Sequence, residues 1–444
     1  MKRQIGVVAV GIVASSLLLA GCGQGSGSGA QSNNANNSQN SLSANLTLWD
    51  IQTGQVQQMV KDQTTAFNKA NPNITVTPEF FQNNPYKNKL RIALGAGNPP
   101  DIFYNWGGGP LQTYVNNGDV LNLTPYLNAD PAWKNRFLSS SFGLATVNGK
   151  IYGIPVFGLG AEILYYNKPM FKQYNLTPPK TFDELLADVK VLHSKGVIPI
   201  ALAGESQWPE MEYVQYLTDR LGGPNVLKNI IAKKPNAWSD PAIIKALQMC
   251  QELVQAGAFE PGYSSVNASS QQTEALLYGN RAAMEVQGNW IYSTIEQNDP
   301  SFIQKGDLGF LPFPGTGGSY DQNVLGAPGA YYSVSSKTKN PTAAVTYLKK
   351  AVQNSAEIKD EINNLGFIPA VHGATPLLQK SPNAKFEVWL HGLFATAPDV
   401  QDYWDQYLSP TEAKVLLDNI SNVFLLKETP QQFADAMNKQ MMQG

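Results

Sequence analysis

Between residues 46 and 117 the chain alternates two hydrophobic periods, and this alternation limits its fold more than any other feature. Leu46-Thr47-Leu48-Trp49 and Ile74-Thr75-Val76 read as strands. Gln55 to Ala70 places Val56, Met59, Val60 and Phe67 on one helical face, and Asn71-Pro72-Asn73 ends it. Tyr86 to Leu94 is a second helix, closed by Gly95. A third strand follows in Asn98-Pro99-Pro100-Asp101-Ile102-Phe103-Tyr104-Asn105-Trp106-Gly107-Gly108-Gly109, then a helix over 110–117 with Leu111, Tyr114 and Val115 on one face. This order calls for a parallel sheet with helices packed on it. Ligands in such sheets sit beyond the carboxyl ends of the strands. Three glycines there let a backbone come close, and Trp106 offers a flat face, so this strand end is expected to be a binding platform.

The alternation resumes after residue 160. Ile198 to Leu202 is a strand, Pro209 to Leu221 a helix closed by Gly222-Gly223, and residues 282–286 a short strand before Gln287-Gly288-Asn289-Trp290. Thr181 and Glu184 form a capping box, and Asp240-Pro241 caps a helix that runs to Gly257. Ser409-Pro410-Thr411-Glu412 and Thr429-Pro430-Gln431-Gln432 make the C-terminus helical. A chain of 444 residues is too long for one ordinary core, so two α/β lobes are expected. Charged residues are only 15% and the net charge is −2, which leaves no basic face for nucleic acid.

The N-terminus carries an address. Lys2 and Arg3 precede an apolar run from Ile5 to Leu19, too short to span a bilayer comfortably. Leu19-Ala20-Gly21-Cys22 looks like a bacterial lipobox, so residues 1–21 are expected to be a signal peptide and Cys22 the lipidated residue. Residues 22–45, rich in Gly, Ser, Asn and Gln, form a flexible tether. Cys250, the one other cysteine, falls in line with Ile243, Leu247 and Val254 and reads as core.

Together these segments resemble the extracellular solute-binding proteins of carbohydrate ABC transporters, the group that includes the maltose-binding protein. The markers are Pro100-Asp101-Ile102 before Trp106, Gly153-Ile154-Pro155 before Tyr165-Tyr166-Asn167-Lys168, and Ala282-Ala283-Met284 before Gly288-Asn289-Trp290. Ser335 to Pro341, Phe367-Ile368-Pro369-Ala370 and Asp405-Gln406-Tyr407-Leu408 complete the series. The resemblance implies two α/β lobes joined by a hinge of three crossings, near 155–160, 325–330 and 368–375, with the ligand in the cleft between them. Lobe one would be 46–157 with 328–370, and lobe two 158–327 with 371–444. It also implies a neutral oligosaccharide as ligand, a membrane permease as partner, a monomer anchored outside the cytoplasmic membrane, and no cofactor or metal. The runs at 105–109 and 403–408 are most similar to the branch that handles xylo-oligosaccharides and raffinose-type sugars.

A sugar needs aromatic planes for its C–H faces and amides or carboxylates for its hydroxyl rim. Trp106 is a candidate plane by position, Trp290, Trp404 and Trp208 by the resemblance. The alternative for each is a packed core tryptophan. Rim candidates are Asn105 beside Trp106, Asp50 after the first strand, Glu162 near the first crossing, Glu210 and Asp405. Gly329 and Tyr331 lie at the second crossing, where backbone can approach a ligand. Catalysis has thin support, since His193, His372 and His391 show no metal-ligand spacing and the triple glycine lacks a phosphate-loop lysine. An anchored glycoside hydrolase and a receptor for peptides or metals stay open as alternatives.

Overall fold

The computed structural model describes residues 43–327 and 329–443; the signal peptide, Cys22 and the tether up to residue 42 lie outside the described residues. The first strand, Ala44–Asp50, takes in two residues that the sequence assigns to the tether. Ala44 belongs to the fold because its N–H donates to the Asn73 carbonyl at 2.9 Å and its side chain is buried. The strand pairs in parallel with Ile74–Phe80 along its length and with Ile102–Asn105 near its end. Ile102–Asn105 is buried throughout, as the central strand of a sheet covered on both faces requires. Asp101 fixes its start: the Asp101 carboxylate accepts from the Thr47 N–H at 2.9 Å and from the Thr338 hydroxyl.

Two later segments complete this sheet. Tyr331–Val334 runs antiparallel to Ile102–Asn105 and to Ile154–Pro155, giving the order 74–80, 44–50, 102–105, 331–334, 154–155. The second sheet has six strands, with Gly160–Asn167 bearing Ala282–Gly288 on one side and Val324–Ala327 and Leu308–Leu311 on the other. Ile198–Ala201 and Val400–Gln401 form its edges.

The chain leaves the first sheet at Pro155, enters the second at Gly160, and returns between Ala327 and Tyr331. A third strand of traffic lies beside the first: the Leu159 N–H donates to the Ile368 carbonyl at 2.8 Å, and Gly158 faces Pro369. A Cβ on Gly158 would stand 2.1 Å from the Ile368 carbonyl oxygen, so only glycine fits where these segments cross. Phe367, Val371 and Ala374 pack into the first lobe's core, whereas Ile368 packs into the second lobe.

The helices are those that the hydrophobic spacing and the caps dictate. Gly54–Ala70 buries Val56, Met59, Val60 and Phe67 on the first sheet. The capping boxes at Thr181 and Ser409 are formed, and Asp240 caps the helix Pro241–Gln255, which buries Cys250. Among the described residues no helix is long and apolar enough to cross a membrane.

Candidate functional site

The strand ends and crossings of both lobes open onto one cleft, which holds a cavity of about 240 Å³. From lobe one, Asp50 turns the chain out of its strand. Its buried carboxylate accepts from the Ile51 N–H at 2.6 Å, the Gln52 N–H at 3.2 Å and the Tyr332 hydroxyl, and burial raises its pKa to about 6. The turn aims Gln52, Thr53 and Gln55 into the cleft. Asn105 does the same one strand over: its Oδ1 accepts from the Gly107 N–H at 2.9 Å and its Nδ2 donates to Ser333 Oγ at 2.8 Å. That turn delivers Trp106, half-buried, to the cleft wall. The Trp106 indole stands edge-on to Tyr104 at 5.1 Å, and Lys87 Nζ lies 4.8 Å from its centroid.

Lobe two supplies the opposite wall. Trp290 follows the strand Ala282–Gly288, and a Cβ on Gly288 would lie 2.2 Å from its ring atoms. The motif glycine is therefore the seat of the tryptophan. Asn289 clamps the seat to the hinge strand, exchanging two hydrogen bonds with the Ala161 backbone at 2.8 and 3.0 Å. Trp208, first residue of the helix Trp208–Gly222, holds its ring 6.1 Å from that of Trp290 at 59°. Trp106, Trp290 and Trp208 thus face one cavity from two lobes.

Across the mouth, Lys87 Nζ reaches Asp405 Oδ2 at 3.0 Å. Asp405 lines the cleft, as does Gly329, whose absent side chain leaves room for Gln406 Oε1 about 3.0 Å from where a Cβ would be. A second contact between the lobes joins Asn84 Nδ2 to the Ser206 carbonyl at 3.3 Å.

Six expected residues do not face the cleft. Trp404 is 1% exposed in the core of lobe two, edge-on to Trp238 at 5.5 Å, with Nε1 donating to Gln401 Oε1. Tyr331 is fully buried and donates its hydroxyl to the Ser141 carbonyl at 2.9 Å. Glu210 points into the interior beside Cys250 and Tyr263, where burial lifts its pKa to about 8. Glu162 is buried behind the wall, its Oε1 accepting from Tyr403 Oη at 2.7 Å. Asp50 and Asn105 support the site through the turns they fix.

The triple glycine is also reassigned. A Cβ on Gly108 would lie 2.0 Å from the Gln406 carbonyl oxygen, and one on Gly109 2.3 Å from that of Leu408. The close approach permitted there is that of the segment 404–408 of lobe two.

Spacing could have found several residues that sequence reasoning passed over. Glu212 lies four residues after Trp208, on its face of the helix, and lines the cleft; Glu210 sits two residues on and faces away. Asn83 and Lys87 stand in the same relation on the helix Asn83–Gly95. Gln55 Oε1, Asn83 Oδ1, Gln406 Oε1 and Trp208 Nε1 are buried cleft atoms that no group among the described residues satisfies.

Two α/β lobes joined by a hinge, with an aromatic cleft between them, define the type II periplasmic-binding fold. The chain belongs to the bacterial extracellular solute-binding proteins, whose family model matches residues 49–357. A structure from work on xylan utilization by the thermophilic bacterium Caldanaerobius polysaccharolyticus superposes with a TM-score of 0.81 at 31% identity, over 89% of this chain and 100% of that one. A chitin oligosaccharide binding protein reaches the same TM-score of 0.81 at 24% identity over 90% of this chain and 98% of its own, a likeness of fold. The multiple sugar-binding protein of Streptococcus mutans is 26% identical over 83% of this chain and 86% of its own length. Two ABC transporter extracellular-binding proteins of Pyrococcus horikoshii are each 26% identical over stretches that span 56% and 63% of their lengths.

Proposed function

We propose that this protein captures a short neutral oligosaccharide outside the cell and presents it to the permease of an ABC transporter. One observation carries the reading: besides the Glu212 carboxyl, four buried cleft atoms, three acceptors and one donor, stand without partners among the described residues beside three indoles. Sugar hydroxyls donate and accept, and sugar C–H faces stack on indoles, so one ligand class answers both. An analogue lacking a hydroxyl would leave a buried polar atom unpaired, which makes the site selective. The charges at the mouth, Lys87 and Asp405, neutralise each other, in keeping with an uncharged ligand. A cavity of about 240 Å³ favours a short chain, since small-molecule sites usually run from ~300 to ~1,000 Å³.

The relatives' names point the same way, to multiple sugars and to xylan. A xylo-oligosaccharide is the first ligand to try. Closure is the signal: a ligand touching both walls gains contacts in the closed form and shifts the population towards it. Cys22 would hold the body at the outer face of the membrane by lipid.

The test is a thermal-shift screen of the body against xylobiose, maltose, raffinose, cellobiose and arabino-oligosaccharides. A bound ligand at 100 times its Kd raises stability by about 2.7 kcal/mol. A shift with peptides or metal ions and with no sugar would overturn the reading.

A further inference from the structure

Glu162, on the strand Gly160–Asn167, and Glu212, on the helix Trp208–Gly222, meet carboxyl to carboxyl. Both are buried, at 0% and 1% exposure. Their carboxyls lie within hydrogen-bonding reach of each other, and each has a buried Oε2 with no N–H or O–H partner among the described residues. Tyr403 Oη donates to Glu162 Oε1 at 2.7 Å. Glu212 and Tyr403 line the cleft and Glu162 lies behind them.

Among the described residues, no cation pairs with either glutamate. From the segment after Gln401 come Asp402 and Asp405, both acidic, and Asp405 is taken by Lys87 of the other lobe. Tyr165, on the opposite face of the same strand, feels the Glu162 charge and brings no cation, and Tyr216 donates its hydroxyl to the Glu162 carbonyl oxygen at 2.7 Å. Two carboxylates at hydrogen-bonding distance repel, so the contact requires a proton.

We propose that Glu162 and Glu212 hold at least one proton between them, and that this proton keeps Glu212 and Tyr403 where they meet the ligand, so that capture weakens when it is lost. The sugar reading enters only through the choice of ligand. Glu162 is a positioning residue; Glu212 and Tyr403 form the wall itself. Burial pushes Glu162 up to about 8, and burial together with the Glu162 charge raises Glu212 well above the ordinary carboxylate range. The pair is therefore protonated through neutral pH and ionises in alkali.

The experiment compares the wild type with E162Q and E212Q, the last of which places a non-titrating N–H donor where the proton stood. Urea unfolding from pH 5 to pH 8 counts the protons taken up on folding from the slope of stability against pH. The wild type is expected to take up about one proton more than either variant. Equal slopes in wild type and variants overturn the shared proton, and if one variant fails to fold the other decides. Calorimetric titration with xylobiose at pH 6 and pH 9 reads the wall. Wild-type affinity is expected to fall about tenfold for one proton lost over one pH unit beyond the titration, while E212Q binds alike at both pH values. Wild-type affinity that is equal at both overturns the link to capture. No heat from xylobiose at either pH counts against the sugar reading, and the unfolding slopes still decide the proton.

Discussion

Two tryptophans of lobe two show how little residue type says about role. Trp208 and Trp404 both begin helices and both follow a polar residue or tyrosine in a loop. Trp404 is enclosed by Trp238, Gln401 and the backbone-bonded Gln215, whereas Trp208 packs beside Trp290 with its Nε1 unpaired. Trp404→Ala removes a fully buried ring, and its cost should be ~3–5 kcal/mol of unfolding free energy. Trp208→Ala empties part of a cleft already open to solvent and should cost about 1 kcal/mol or less. Ligand affinity should reverse the ranking, because the indole face and its N–H are lost together. Urea unfolding and sugar titration on both variants check the pair of outcomes. A Trp208→Ala protein that unfolds as early as Trp404→Ala would place Trp208 in the core.

Elements were more legible than contacts. The periods of 2 and 3.6 in the first 117 residues contain the strand and helix order of lobe one, because each element must bury one face on its neighbours. The capping boxes at Thr181 and Ser409 are local chemistry and formed as read. What the periods do not carry is which distant segment meets an element. Gly107-Gly108-Gly109 signalled a close approach; Gly107 meets Leu144 of its own lobe, and the partner of Gly108 and Gly109 is a backbone some 300 positions later in the chain. Glu162, beside the cleft in sequence order, lies behind its wall because the strand alternates faces and Tyr403 fills the space in front. Gly109→Ala isolates the meaning of the triple glycine, since Gly109 has no left-handed φ to confuse the result. Its Cβ would press on the Leu408 carbonyl and hold lobe one off the 404–408 segment. The expected outcome is a larger radius of gyration by X-ray scattering and weaker ligand binding, with helix content unchanged. Scattering identical to wild type would show that the contact yields without moving the lobes.

The whole molecule carries an unusual interior charge problem. Glu210, Glu285, Glu361, Glu387 and Asp402 are buried acids, and none of them is in an ion pair among the described residues. The fully buried cation Arg220 gives its N–H groups to the carbonyls of Tyr320, Asn323 and Phe313, none of them a carboxylate. An unpaired carboxylate is costly inside a protein, and the acid stays protonated instead. Burial accordingly raises Glu210, Glu357, Glu387 and Asp402 to about 8 and Glu274 to about 7, and carries Glu285 and Glu361 upward as well. The sign follows from linkage. These groups bind protons more tightly folded than unfolded, where glutamate titrates near 4.5, so the folded state is favoured most in acid. Stability is fully present below about pH 4.5 and drains away as the pH rises towards 8. A typical domain is instead most stable between about pH 5 and 8. Each raised group adds up to about 1.4 kcal/mol per pH unit within that window. Scanning calorimetry at pH 5 and pH 8 should therefore show a melting temperature lower at pH 8 by at least about 5 °C, taking ~2 °C for each kcal/mol in a chain of this size. The substitutions Glu210→Gln and Glu387→Gln, which keep shape and remove the titration, should each narrow that gap. A melting temperature that is level or rises from pH 5 to pH 8 would mean that the interior acids find donors in solution and ionise in place.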